Sequence, residues 1–190
     1  CYDRTLAGIS YNRSTARQLL SDAGYGGGLL SQLWHPTRAR SLMPDPRALA
    51  ETIAGDLRGI DIVTVVNSLD AVTYQQRSLE GALPLYLQTW TGDIPDADSF
   101  LTNLFASDAV SRSIGYSSPE IKTTLAAARS ESNASQRVTL YQQAAAMLRS
   151  DMPRVPLVYV QSPVLVQRQV SGFTPGPFGL ESYQTVSLGR

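Results

Sequence analysis

Asp93, Asp96 and Asp98 place three carboxylates within six positions, just after Trp90 and Gly92 and just before Phe100 and Leu101. Such a run supports two kinds of chemistry. A fixed carboxylate beside a flat aromatic wall, on backbone that a glycine opens to close approach, suits a cationic or zwitterionic small molecule. Paired carboxylates also suit glycoside hydrolysis or a hard-cation site built on Asp93, Asp96 and Asp98. A plainer reading needs no ligand: Gly92 and Pro95 turn the chain, Asp93 and Asp96 cap it, and Trp90 fills the core. Asp96 and Asp98 also suit the start of a helix, where the macrodipole favours acids. The hydrolytic reading is short of parts, because no Glu or His stands nearby and no Gly-x-Ser-x-Gly elbow occurs.

The remaining inventory narrows the chemistry further. There is one Cys, Cys1, and one His, His35, so neither a cysteine-based nor a histidine-rich metal site can be assembled and no internal disulfide can form. No metal, no cofactor and no catalytic residue is expected, and His35 reads as a surface loop residue. Sixteen basic and sixteen acidic residues cancel, which leaves no broad cationic field for nucleic acid or anionic lipid. No run of 18 apolar residues offers a membrane span. A terminal cysteine fits a lipid-modified protein, although the residues after Cys1 do not read as a linker.

The elements that carry these residues alternate. Asn12 caps a helix with the stripe Ala16, Leu19, Leu20 and Ala23, and Leu29 to Trp34 reads as a strand. Asp45-Pro46 is a strong helix start, with Leu49, Ile53 and Leu57 facing inward. Ile60 to Val66 is β-branched and strand-like, Ser68 or Asp70 opens a short helix, and Leu83 to Trp90 is a strand apolar enough to be central. A helix near Asp98–Phe105, a polar loop from Ala106 to Tyr116, and helices from Ser118 and from Asn133 or Ser135 follow. Val155 to Val160 and Val164 to Arg168 read as strands, with a short last strand near Thr185–Leu188. This order predicts an α/β fold with a mixed sheet flanked by helices.

Five pieces carry a resemblance. They are Ala16-Arg17-Gln18-Leu19-Leu20-Ser21-Asp22-Ala23-Gly24-Tyr25, Asp56-Leu57-Arg58-Gly59-Ile60, the stretch from Trp90-Thr91-Gly92-Asp93 through Asp96-Ala97-Asp98-Ser99-Phe100-Leu101, Arg137-Val138-Thr139-Leu140-Tyr141-Gln142-Gln143-Ala144, and Val170-Ser171-Gly172-Phe173. In this order the chain resembles the C-terminal part of a family 5 extracytoplasmic solute-binding protein, the group containing the dipeptide- and oligopeptide-binding proteins of ABC importers. The resemblance implies one lobe of a two-lobed periplasmic-binding-protein-like fold. Residues 1–168 would form the second lobe, incomplete at its N-terminus, and residues 169–190 a tail returning toward the first. It implies a substrate-binding component that holds a peptide or another small solute and delivers it to the permease subunits. The location is the periplasm or the outer face of the cell membrane, with membrane contact only through the transporter or a lipid anchor outside this stretch. By the Trp-x-x-Asp motif, Asp93 meets the ligand ammonium. Arg40 meets its carboxylate, with Arg38 as a rival in the same loop. Trp90, Gly92 and Tyr116 complete the candidate ligand contacts. A carboxylate-dependent hydrolase and a free-standing interaction domain remain the alternatives.

Overall fold

Helix starts in this chain follow the side chains that cap them. The computed structural model describes residue 6 and residues 8–92, 94–159, 163–176 and 181–189. Asn12 Oδ1 accepts from the Thr15 amide and opens α1 (Arg13–Asp22). Asp45 Oδ1 accepts from the Ala48 amide at 2.9 Å, with Pro46 as the first residue of α2 (Pro46–Arg58). Asp70 caps α3 (Ala71–Leu79) through the Val72 and Thr73 amides. Each cap satisfies amides that have no partner inside the helix.

Three strands alternate with these helices: β1 (Leu29–Pro36), β2 (Ile62–Leu69) and β3 (Leu85–Tyr86). They form a sheet in the order β2-β1-β3 that is parallel throughout rather than mixed as expected, with Leu33 opposite Val66 on one side and Leu85 on the other. The strand expected to be central, Leu83 to Trp90, is therefore a short edge strand, and β1 is central. Pro84 has no amide to donate, and beyond Tyr86 a single bond, Leu87 N to Trp34 O at 3.1 Å, continues the ladder. His35, expected in a surface loop, belongs to β1 and is 5% exposed.

The connections β1-α2-β2 and β2-α3-β3 run in opposite directions across the sheet. Right-handed crossovers then place α2 and α3 on opposite faces. Leu33 and Val66 pack with Leu49, Ala50 and Ile53 of α2, and Met43 and Leu87 join the same cluster. Trp34 and Tyr86, one residue further along their strands, face the other way. There the Tyr86 ring meets Tyr74 of α3 edge-on at 6.4 Å.

A second core lies among helices. It is built by α4 (Asp98–Phe105), α6 (Pro119–Ser130) and α7 (Ala134–Asp151), with Ile121, Leu125, Ala128, Tyr141 and Ala144 almost wholly buried. The stretch expected to be a polar loop between Ala106 and Tyr116 contains a helix, α5 (Asp108–Ile114), capped by Ser107. It bridges the two cores: Tyr86 Oη donates to Ser113 O, and Gly81, at φ +71°, approaches Arg112 O so closely that a Cβ there would stand 2.3 Å away.

Two expected features differ in their surroundings. The α1 stripe is not buried: Leu19 is 64% exposed and no residue of α1 is fully covered. Of the segments read as strands, Val155 to Val160 and Val164 to Arg168, the described residues pair with no strand, and Val160 lies outside the described residues. In the tail, β4 (Val170–Ser171) and β5 (Ser187–Leu188) pair antiparallel. The last strand thus falls where it was expected.

Candidate functional site

The parallel sheet fixes where ligand chemistry can be assembled. β1 sends its connection to one side and β3 lies on the other, so the strand order reverses between them. In open α/β sheets a crevice opens at the carboxyl ends of two such strands. The loop after β1, residues 37–45, carries Arg38 and Arg40. The loop after β3 carries Gln88, Trp90 and Gly92.

Each loop is tied to the core below it. In the first, Arg40 N donates to Met43 O and Met43 N to Arg40 O, both at 2.9 Å, and this closed turn drives Met43 into the core. Met43 is 5% exposed and packs in the cluster that contains Leu87, the first residue of the second loop. The Arg40 side chain itself is exposed. Beneath both loops stands Tyr74, whose hydroxyl donates to Leu87 O at 2.6 Å and lies 3.2 Å from Trp34 O. Burial pushes the Tyr74 phenol well above its ordinary pKa, so it remains a donor at neutral pH.

The second loop is latched to the helical core by ions. Arg137 of α7 grips Asp96 with two parallel bonds, Nη1 to Oδ2 and Nη2 to Oδ1, each 2.9 Å. Arg137 also donates to Tyr141 Oη at 3.2 Å and lies over that ring at 4.9 Å. The bonds from Arg137 hold the Asp96 carboxyl below the usual carboxylate range. Asp98 accepts from Thr102 Oγ1 at 2.6 Å and pairs with Arg129 Nε at 3.5 Å. Asp96 Oδ1 receives the Asp98 amide at 2.8 Å, so both acids serve the start of α4 as expected. Neither carboxylate is free for acid–base work.

The predicted site residues divide accordingly. Arg40, Trp90 and Gly92 share the carboxyl edge of the sheet. Trp90 is 41% exposed, with Nε1 donating to Ser99 O at 3.2 Å, so it is a partly open aromatic face rather than core. Gly92 is buried, and a Cβ there would stand 2.5 Å and 2.6 Å from the Phe100 ring. The need for glycine at this position thus already follows from Phe100. Tyr116 lies apart: it packs on the helical core and its hydroxyl donates to Asp151. Asp93 lies outside the described residues.

One neighbour of the site was not singled out in the sequence. Arg154, three residues past the end of α7, donates through Nη1 to Gln88 Oε1 and lies 5.8 Å from the Phe105 ring centroid. A groove of about 360 Å³ lined by residues such as Arg17, Tyr25 and Asp61 lies instead at the amino ends of β1 and β2, at the opposite edge of the sheet.

Residues 2–112 match the family described as bacterial extracellular solute-binding proteins, family 5 middle. The chain belongs to this family. Heme-binding protein A of Haemophilus influenzae is 28% identical over 189 residues, which cover 98% of this chain and 35% of that protein. Di/tripeptide-binding protein 1 of Pseudomonas aeruginosa is 28% identical over 196 residues, covering all of this chain and 36% of that one. Among solved structures, HbpA2 from Haemophilus parasuis superposes with a TM-score of 0.86 at 26% identity, over the whole of this chain and 38% of the other. A Pseudoalteromonas dipeptide binding protein in complex with Met-Leu superposes with a TM-score of 0.76 at 26% identity, over 94% of this chain and 36% of the other. The expected class holds: the fold is α/β and forms one lobe of a two-lobed periplasmic-binding-protein architecture. The family is extracytoplasmic, and among the described residues no helix is long and apolar enough to cross a membrane. The chain spans little more than a third of the length of these relatives, 35–38%.

Proposed function

We propose that this family 5 chain supplies one wall of the solute site in the substrate-binding component of an ABC importer, and that the solute is a peptide or a close relative of one. The observation that carries this reading is the meeting of the 37–45 and 87–97 loops at the reversal of strand order, with a cation on one and an open aromatic face on the other. Asp93, next to Gly92 in that second loop, meets the ligand ammonium. Arg40, or Arg38 in the same loop, meets an anionic end, and Trp90 lies against apolar groups. A zwitterion held this way gains charge-assisted hydrogen bonds at both ends. Residues 169–190 return toward another lobe that encloses the ligand's far side. The loaded protein then delivers its solute to the permease.

No catalytic step belongs to this reading. Asp96 and Asp98, the two described members of the Asp93, Asp96 and Asp98 trio, are committed to Arg137 and Arg129 rather than to each other. Peptide is preferred to heme because the one histidine, His35, is buried in β1 with Nδ1 donating to Pro36 O.

Calorimetry of the complete gene product with di-, tri- and pentapeptides tests the proposal. Asp93→Ala should weaken all of them by about 10- to 100-fold, the worth of a hydrogen bond to a charged group. Arg40→Ala should weaken dipeptides more than longer peptides, whose carboxylate lies elsewhere. Negligible and equal losses for Asp93→Ala across the series would refute the placement of the anchor, and turnover of the peptides would favour an enzyme.

A further inference from the structure

The loop after β3 is tied near each of its ends to the same helix. Arg137, at the start of α7, grips Asp96 through two parallel bonds of 2.9 Å. Arg154, three residues past the end of α7, donates to Gln88 Oε1, with the Phe105 ring centroid 5.8 Å away. Met152, in the left-handed conformation at φ +43°, turns the chain off the helix, and Pro153 stiffens the next step, so Arg154 is delivered by rigid backbone. About 21 Å of helix separates Arg137 from Asp151, the last residue of α7. A segment fastened at two such distant points of one rigid element can neither slide nor coil up without breaking a tie.

Between the two ties the loop is fastened to α4. Trp90 Nε1 donates to Ser99 O, Ser99 Oγ donates between Ile94 O and Asp96 O at 3.0 and 2.9 Å, and Gly92 is buried against the Phe100 ring. The Arg137 tie is backed from beneath: Tyr141 Oη accepts from Arg137 Nη2 at 3.2 Å and lies 3.4 Å from Asp98 Oδ1, which binds α7 to the start of α4. Both guanidinium groups are thus engaged by the protein itself. We infer that Arg137 and Arg154 are positioning residues for solute binding: α7 holds the ligand loop near both ends and so fixes where Trp90 and Asp93 stand against the loop that carries Arg40. The inference rests on the peptide-binding reading and deepens it. The ordering entropy of the loop is met on folding rather than on binding, and affinity then depends on a helix that the solute does not touch. Cutting one tie frees one end of the loop, and cutting both leaves it held only through α4 and Leu87.

The test uses the complete gene product, with trialanine and N-acetyl-trialanine as probes. Calorimetry at a temperature where every variant is folded compares wild type, Arg137→Met, Arg137→Lys, Arg154→Met and the double Met variant with Leu125→Ala. Leu125 is fully buried in the helical core and makes neither tie, so its truncation reads general weakening of that core; Ile121→Val takes its place if Leu125→Ala does not fold. Each single Met variant should bind trialanine about 3- to 30-fold more weakly than wild type, the range for residues that act on a site through others. The double variant should lose more than either, and Arg137→Lys, which keeps the charge but not the parallel fork, should recover part of the loss. Leu125→Ala should stay within about twofold of wild type even where its Tm falls further. Because the clamp places Asp93, the preference for trialanine over its N-acetyl form should shrink in the Met variants and persist in Leu125→Ala, whereas a merely structural role would weaken both probes in proportion. Hydrogen exchange without ligand gives a second readout: amides from Gln88 to Asp96 should exchange faster in the Met variants and not in Leu125→Ala. Met variants that bind like wild type, that lose both probes in proportion, or that leave this exchange unchanged overturn the inference while leaving the peptide reading intact. Wild type that binds trialanine without preferring the free amine overturns the Asp93 anchor and the inference with it, and wild type that binds neither probe overturns the peptide reading and the inference together.

Discussion

Removing one oxygen atom from α3 tests how the site loops are held. Tyr74 is 6% exposed, and its hydroxyl donates to Leu87 O at 2.6 Å and lies 3.2 Å from Trp34 O. Trp34 O also accepts from Leu87 N, so it keeps a partner when the hydroxyl is gone, whereas Leu87 O is left without the short bond. Tyr74→Phe preserves the ring and its edge-on contact with Tyr86. The loss is then one hydrogen bond and one stranded buried carbonyl, about 1–3 kcal/mol. At roughly 2–4 °C per kcal/mol for a chain of this size, Tm should fall by about 5 °C. Tyr86→Phe is the control. Its hydroxyl reaches Ser113 O at 3.3 Å from a half-buried position, and it should cost no more than about 0.5 kcal/mol. Hydrogen exchange adds the local readout: amides from Leu85 to Gly92 should exchange faster in Tyr74→Phe and not in Tyr86→Phe. The pH dependence has a definite sign. Because the folded-state pKa is raised, the hydroxyl's contribution is complete below the ordinary phenol value of about 10 and fades as pH rises beyond it. Equal Tm losses for the two variants, or unchanged exchange across residues 85–92, would refute the view that Tyr74 anchors the second loop.

Two further predictions concern the same loop. Gly92→Ala would put a Cβ 2.5 Å from the Phe100 ring and 3.0 Å from Ser99 Oγ, an overpacking that should cost about 1–3 kcal/mol; Gly92→Ala with Phe100→Leu should recover most of the lost Tm. The Asp96 carboxyl is held below its unfolded pKa of about 3.9, chiefly by hydrogen bonds from Arg137, so its stabilisation is present above that pH and is lost as pH falls through the lower folded value. Urea unfolding at pH 7 and pH 3 should show a smaller acid loss for Asp96→Asn than for wild type, and identical losses would refute the latch.

What the sequence disclosed was local in origin. Asn12, Asp45 and Ser118 cap the helices they were expected to open, and Asp70 and Asn133 are the caps where Ser68 and Ser135 were the alternatives, because a cap is decided within four residues. The carboxyl-edge position of Arg40, Trp90 and Gly92 was legible for a similar reason: each follows a strand-like run in an alternating βα order. His35 and Arg154 were not legible. His35 looked like a loop residue because Pro36 follows it, yet the strand runs through that proline and pairing with β2 buries the ring. Arg154 follows a proline at a helix end, a context that usually sends a cation to solvent. Its burial depends on Gln88, 66 residues away, and on Phe105, neither of which local sequence can report.

The misread strands show the same limit from the other side. Val155 to Tyr159 and Val164 to Arg168 have strand composition, but a strand is a relation between two segments, and its amides need a ladder. Val155, Tyr159 and Leu165 are 69%, 93% and 99% exposed, values foreign to an interior run of this composition. Leu30, Val63 and Val65, on the sheet face away from α2, are also open, at 80%, 45% and 56%. Leu83 to Trp90 went wrong in a related way, because apolar content was taken as evidence of a central strand. The same content serves an edge strand that is covered by Met43 on one face and Tyr74 on the other rather than by two neighbouring strands. Composition therefore reports how much of a segment is to be covered, and only tertiary neighbours decide what covers it. At the β1–β3 boundary, where the proposed function puts the solute, two loops with buried anchors, Met43 and Leu87, present polar and aromatic groups on backbone that the core already holds in place.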